Sequence, residues 1–387
     1  MEFLNKIVSF IRKNQLYFCY LLVLILLGYG MFVYSGTTYI HLLFIYLCAF
    51  TLFYFFFKNT IKGNKLIQLN KEFSSATLNA LSYVILIFII GFILLHFYTL
   101  GFVPIIAAYY ATDILETAKI RHDLSIDVHP LIAYGSSFVV RSFIPFFLLY
   151  FFVTKRKFIF RSLLIISVFY CIGLLQKSFI TFICLPIILY CLIHLDWKRF
   201  ILFSLIPLCG FVLMVMITNP QLRGKENLNI PTTESQSLLV GSYNRIFLIP
   251  GKVVAEWFSL IPQKYPYLYG KGYHFLNPNT YVDYSKILYE ELFPQYAKLG
   301  LAGTVNVASF VYEYSNFGIL GLVLSALVLS FIFLCIELLF VNNQYYILVL
   351  NALPIILLSS AALSTMLFSG GWVATLVLFL IFRKKIE

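Results

Sequence analysis

Charge is what this chain has least of. Asp, Glu, Lys and Arg together make up only 11% of its 387 residues. A water-soluble domain of this length needs far more polar surface, so a soluble enzyme or binding module is excluded. Strict apolar–polar alternation is missing as well: the apolar runs are long and continuous, which excludes an outer-membrane barrel. The seven cysteines (19, 48, 171, 184, 191, 209 and 335) show no metal-ligand spacing and fall inside apolar runs. They read as small core residues, so neither a disulfide framework nor a metal site is expected. No P-loop, Gly-rich nucleotide fingerprint or DxD-like acidic pair is present, and no cofactor is expected. No internal repeat is visible, which gives no support to a two-fold transporter architecture. A cleavable signal is not expected, because the first apolar run, about 20 residues, is long enough to stay as a span.

What is abundant is hydrocarbon. The chain is 61% hydrophobic, with a mean hydropathy of +0.90, and reads as an all-α polytopic membrane protein. Its formal charge of +12 does not point to nucleic acid. The basic residues sit at the ends of apolar runs, where they set topology.

Ten spans are expected, at about Gln15–Tyr34, Ile40–Phe57, Leu78–Leu100, Leu131–Val153, two within Phe158–Leu195, Phe200–Ile217, Asn316–Phe340, Tyr346–Leu363 and Met366–Phe382. The 38 residues of Phe158–Leu195 are nearly uninterrupted apolar and, past Arg161 near the inner end, are broken at Gln176-Lys177-Ser178, so they read as a hairpin of two spans. Sixteen of the 28 Lys and Arg fall in the segments this topology puts inside, including both termini. The first half of 101–130 reads as a helix lying in the membrane interface. Three regions result: 1–217 with spans one to seven, 218–315 as a large extracytoplasmic loop with short helices, and 316–387 with spans eight to ten.

The large loop is the main polar interruption and the first place to look for chemistry. Its cations Arg223, Lys225, Arg245, Lys252, Lys264 and Lys271 are offset by nearby carboxylates, so it is no electrostatic funnel. Arg245 precedes FLIPGKVV, the start of an amphipathic helix with Val254, Trp257 and Phe258 on one side. It suits bidentate phosphate contacts, against the plainer reading of a surface pair with Glu256. Fourteen aromatics lie between Tyr243 and Tyr296, Tyr273 among them. They suit sugar faces or, equally, an aromatic belt at the membrane surface. His274 reads as a base or phosphate contact, although a lone loop histidine is more often neither. Glu313 would sit at the outer surface just before span eight, as a general base or as a charge favoured by a helix N-terminus.

Two cations lie outside that loop. Arg141 is near mid-membrane in span four, a functional position by default; the plainer reading pairs it with Glu337 or a backbone carbonyl. Lys177 occupies the outer hairpin tip, suited to a lipid-linked pyrophosphate or simply snorkelling.

Three features together resemble the bacterial O-antigen and oligosaccharide repeat-unit polymerases, the Wzy class. They are the ten-to-twelve-span plan with one large loop in the C-terminal half, the hairpin tip LLQKSF with Lys177 at its basic position, and the closing SFVYEYSNFGILG. In the last, Glu313, Asn316, Phe317, Gly318 and Gly321 match and the leading glycine is absent. The R-x10-G pattern of some members is missing, since Glu234 and Glu256 stand eleven residues past Arg223 and Arg245. Lysine replaces arginine at 177.

The resemblance implies a GT-C-like, metal-independent inverting glycosyltransferase in the bacterial inner membrane. It would join undecaprenyl-pyrophosphate-linked glycans, as donor and acceptor, into O-antigen or a related surface polysaccharide. Membrane lipid and a chain-length regulator are the further partners implied. Arg245, Lys177, Arg141 and Arg223 would bind pyrophosphate, and Glu313 or His274 would serve the acceptor. An O-antigen ligase shares the plan; a lipid-linked oligosaccharide flippase is the rival from another class.

Overall fold

The computed structural model describes residues 9–61, 73–112, 116–117, 119–120, 129–218, 238–298, 300 and 303–386. Those residues are helical with no strand among them. In chain order the helices are α1 Gln15–Ser35, α2 Ile40–Thr60, α3 Ser75–Leu100, α4 Pro104–Tyr110, α5 Pro130–Val153, α6 Lys157–Gly173, α7 Lys177–Ile193 and α8 Trp197–Thr218. They continue as α9 Leu238–Tyr243, α10 Ile249–Leu260, α11 Tyr284–Leu292, α12 Pro294–Lys298, α13 Ser309–Leu339, α14 Gln344–Leu357, α15 Leu363–Leu367 and α16 Trp372–Ile386.

Seven stretches are long and apolar enough to cross a membrane: α1, α2, α3, α5, α8, α13 and Leu363–Arg383. The shorter α7 and α14 are also apolar. The outward faces of the long helices carry hydrocarbon, with Ile87 of α3 70% and Leu52 of α2 64% exposed. Surface of that kind and extent belongs in lipid, where a helix is the one local structure that satisfies its own backbone. The protein is therefore a polytopic membrane protein.

The chain divides into two compact units, Met1–Gln68 with Thr233–Met366, and Leu69–Thr232 with Leu367–Glu387.

The second unit is a ladder. Helices α5 to α8 are joined by three-residue turns at 154–156, 174–176 and 194–196, in which Lys155 (φ 58°), Leu175 (φ 58°) and Leu195 (φ 56°) adopt the left-handed conformation. Two of the turns close with the same pair of backbone bonds. Lys155 and Arg156 donate to Phe152 and Phe151 (3.2 and 3.0 Å), and Leu195 and Asp196 donate to Leu192 and Cys191 (3.1 and 2.9 Å). This is the 5→2 and 6→1 pattern that satisfies the last carbonyls of a helix. The turns recur every twenty residues although the sequence shows no repeat. The expected hairpin within 158–195 is present, with Lys177 as the first residue of α7.

In the first unit α13 packs chiefly on α2, and α10 and α14 pack on α1. The α1–α10 contact is backbone against backbone: a Cβ on Gly251 would lie 2.3 Å from the Leu27 carbonyl oxygen and 2.6 Å from the Gly30 Cα. A polar clasp ties α1, α2 and α13. The Lys58 ammonium donates to the Glu337 carboxylate (2.7 Å), the Asn14 side chain (2.8 Å) and the Lys13 carbonyl (2.6 Å), while the Tyr54 hydroxyl donates to Glu337 (2.5 Å). Glu337 is thus neutralised by Lys58 of its own unit.

Three expected boundaries move. The eighth span was expected to begin at Asn316, but α13 begins at Ser309 and breaks at Gly318 (φ 61°, ψ −140°). Helix α14 stops at Leu357 rather than Leu363, in a turn whose Leu358 carbonyl accepts the Ser309 amide (2.8 Å). The last span comes in two pieces, α15 and α16, separated by a turn through Gly371 (φ 76°). A Cβ at Gly371 would lie 2.6 Å from the Ser142 Cβ. In each case hydropathy sees a continuous apolar run, whereas glycine and tertiary contact decide where the helix stops.

Candidate functional site

The expected residues fall into both units. Arg141 and Lys177 belong to the second; Arg245, His274 and Glu313 belong to the first. Arg223 lies outside the described residues.

Both arginines stand in the same backbone defect. Residues Val139–Phe143 and Asn244–Leu248 are single π turns, closed by Ile144 donating to Val139 and Ile249 donating to Asn244. The cause is written a few residues on, at Pro145 and Pro250. A proline inside a helix removes one N–H and crowds the carbonyl four residues back, here those of Arg141 and Ile246, and a wider turn relieves the crowding. The prolines are visible in the sequence, but those at Pro186, Pro207 and Pro354 lie in helices that keep the ordinary α turn, so the wider turn is decided by the fold. The surroundings of the two arginines differ. Arg141 is half-buried: among the described residues its Nε has no hydrogen-bond partner, and its guanidinium lies 6.0 Å from the Phe182 ring. Arg245 is exposed.

Past Arg245, α10 buries Val254, Trp257 and Phe258, as the amphipathic pattern requires. Glu256 is buried beside them and pairs with Lys252 (3.6 Å), so the pairing of Arg245 with Glu256 considered above does not form. Burial pushes the Glu256 carboxyl up; Lys252 and a hydrogen bond to Tyr34 oppose that shift.

The densest construction is around the break in α13. The backbone of Leu268 and Tyr269 pairs with that of Ser315 and Asn316 through two 2.9 Å bonds, from Leu268 to Ser315 and from Tyr269 to Asn316. The buried Asn316 side chain (3% exposed) then accepts amide bonds from Gly270 and Gly272 (3.2 Å each) and donates to the Tyr312 carbonyl (2.9 Å). Only a carboxamide offers an acceptor and a donor in that geometry.

The glycines follow from the same packing. A Cβ at Gly272 would lie 2.8 Å from the Asn316 amide, and Gly270 has φ 90°. Gly318 takes the left-handed break, and a Cβ at Gly321 would lie 2.0 Å from the Glu313 carbonyl oxygen. Each polar or small residue of the NFGILG ending therefore has a structural duty.

Glu313 sits one turn before the break, inside a helix rather than in the preceding loop where it was expected. Its carboxylate Oε2 accepts a hydrogen bond from the Tyr273 hydroxyl. The other oxygen, Oε1, has no partner among the described residues. Burial first, and then the neighbouring carboxylate, hold the Tyr273 phenol well above its ordinary range. The Tyr273 ring lies 5.9 Å from Phe275 and 6.4 Å from Phe317, centroid to centroid. Phe275 is 74% exposed. A carboxylate beside tilted, partly open rings has the composition of a site for a hydroxylated ring substrate.

His274 is exposed and packs edge-on against Tyr281 (5.2 Å), one residue from Tyr273 but not bonded to Glu313. Lys177 is half-buried at the start of α7. Sequence reading had counted Tyr273 only as one aromatic among many and had not paired it with Glu313. The hint was its place in YGKGY, whose two glycines the Asn316 side chain requires.

No family model matches this chain, and no curated protein or solved structure is found to be significantly similar to it.

Proposed function

We propose that the protein is a membrane glycosyltransferase of the repeat-unit polymerase class that its sequence resembles. It would join undecaprenyl-pyrophosphate-linked oligosaccharides into O-antigen or a related surface polysaccharide at the outer face of the inner membrane. About ten spans in a GT-C-like arrangement, with both termini cytoplasmic, belong to this proposal. The observation that carries it is Glu313: a carboxylate at a helix break, one oxygen held by a phenol and the other unengaged among the described residues.

The chemistry follows from that placement. The acceptor sugar hydroxyl gives its proton to Glu313 as its oxygen bonds to the donor's anomeric carbon. The bond from that carbon to the pyrophosphate oxygen breaks with inversion, and the pyrophosphate leaves with the electron pair. Arg245, exposed and in the same unit, supplies positive charge to that leaving group. Pyrophosphate roles for Arg141 and Lys177 rest on the sequence alone and are tested by substitution.

The experiment is glycan laddering on a gel from cells lacking the gene, complemented with the parent, Glu313→Gln or Arg245→Ala at equal expression. A ladder with the parent and a single repeat unit with either variant is expected. An unchanged ladder in the deletion overturns the proposal. One observation favours a flippase instead: the Arg141 Nε, buried in an apolar helix without a partner among the described residues, is what a polar path across a membrane would require. Loss of even the single repeat unit in the deletion would select that reading or a ligase.

A further inference from the structure

We propose that Tyr273 is a positioning residue whose phenol fixes the Glu313 carboxylate so that Oε1 faces the acceptor hydroxyl; this rests on the polymerase reading above.

The argument is one of construction. Glu313 has a flexible side chain, and a general base must be held within a fraction of an ångström of its proton. Among the described residues the one group bonded to its carboxylate is the Tyr273 hydroxyl, forty positions away along the chain. Tyr273 is itself fixed. The loop before it is bonded to Ser315 and Asn316, on the same turn of α13 that follows Glu313. Asn277 closes the loop from the far side, donating to the Gly270 carbonyl (2.9 Å), and Val282 donates to Lys271 (3.0 Å).

Both ends of the phenol–carboxylate bond therefore hang from one rigid piece. Residues 268–272 fix the phenol and residues 312–316 fix the carboxylate, with Asn316 joining the two. The bond also leaves Oε1 unengaged. A phenol that only filled space would not need its hydroxyl aimed at an acid, and a phenylalanine would fill the same position between Phe275 and Phe317.

Two measurements test this on the full-length protein in proteoliposomes. The first needs no activity. Tetranitromethane nitrates ionised phenols, and the yield at Tyr273 is read by mass spectrometry against Tyr269, which is 75% exposed. The carboxylate adds to burial in keeping the proton on the phenol, so Tyr273 nitration should be low in the parent and rise in Glu313→Ala, which removes both the charge and the acceptor, while Tyr269 stays constant. Equal yields at Tyr273 in the two proteins overturn the pairing.

The second measurement is joining of purified lipid-linked repeat units by the parent and by Tyr273→Phe. Losing one charge-assisted hydrogen bond should slow turnover about 10- to 100-fold at an unchanged half-saturating concentration. A merely structural tyrosine would alter folding yield or both constants together. Parent-like turnover in Tyr273→Phe overturns the positioning role and leaves the polymerase reading standing. A parent that joins no units overturns the polymerase reading and this role with it, whatever the nitration yields.

Discussion

Two regions of this protein end helices in apolar surroundings, and they do so with different chemistry. The ladder turns at 154–156, 174–176 and 194–196 use backbone alone, so the left-handed position accepts a lysine and two leucines. The clasp around Gly318 uses a buried carboxamide, two glycine amides and two further glycines admitted by close contact. A backbone solution tolerates many sequences, because every residue brings the same N–H and C=O. A side-chain solution tolerates few, and it places specific groups at fixed positions. Where a chain adopts the second kind, a carboxylate and a phenol can be brought together and kept together. The proposed chemistry sits in the clasp for that reason.

The largest expected effect is at Gly321. A valine there would drive its Cβ into the Glu313 carbonyl, so Gly321→Val should cost about 3–5 kcal/mol and show as a large drop in the thermal midpoint in detergent. Asn316→Ala strands the Gly270 and Gly272 amides and should cost about 2–4 kcal/mol by the same measurement. Asn316→Asp keeps the acceptor and loses only the donor to Tyr312, so its cost should be smaller. If the two variants were equally damaged, the clasp would rest on something other than those amides.

The ladder predicts opposite signs at equivalent positions. Lys155 is exposed, so Lys155→Gly relieves left-handed strain and should stabilise by about 0.5 kcal/mol. Leu175 is buried, so Leu175→Gly gains the same relief but gives up roughly 2 kcal/mol of burial, a net loss. Equal signs would mean that these turns are not governed by backbone conformation.

The smallest effect concerns pH. The Glu256 carboxyl is pushed up in the folded protein, so the folded state binds its proton more tightly than the unfolded state does. Stability therefore falls as pH rises from the ordinary carboxyl range through the raised value. Glu256→Gln should be slightly more stable than the parent at neutral pH, with the gain vanishing in acid, as seen by melting at a series of pH values. A gain that persisted in acid would point to packing rather than charge. Loss of its ion pair with the half-exposed Lys252 should cost little.

Where helices form and where the hairpin between α6 and α7 turns can be read from the amino-acid order alone. Those follow from the length of apolar runs and from charges at their ends, which are local properties. Other features were decided only in the folded chain: that Lys58 meets Glu337, that Gly30 lies on Gly251, that α13 breaks at Gly318, and that Tyr273 reaches Glu313. These contacts join residues that are far apart along the chain, or depend on such contacts. Hydropathy cannot choose among the many tyrosines available; the packing that brings YGKGY onto Asn316 makes the choice.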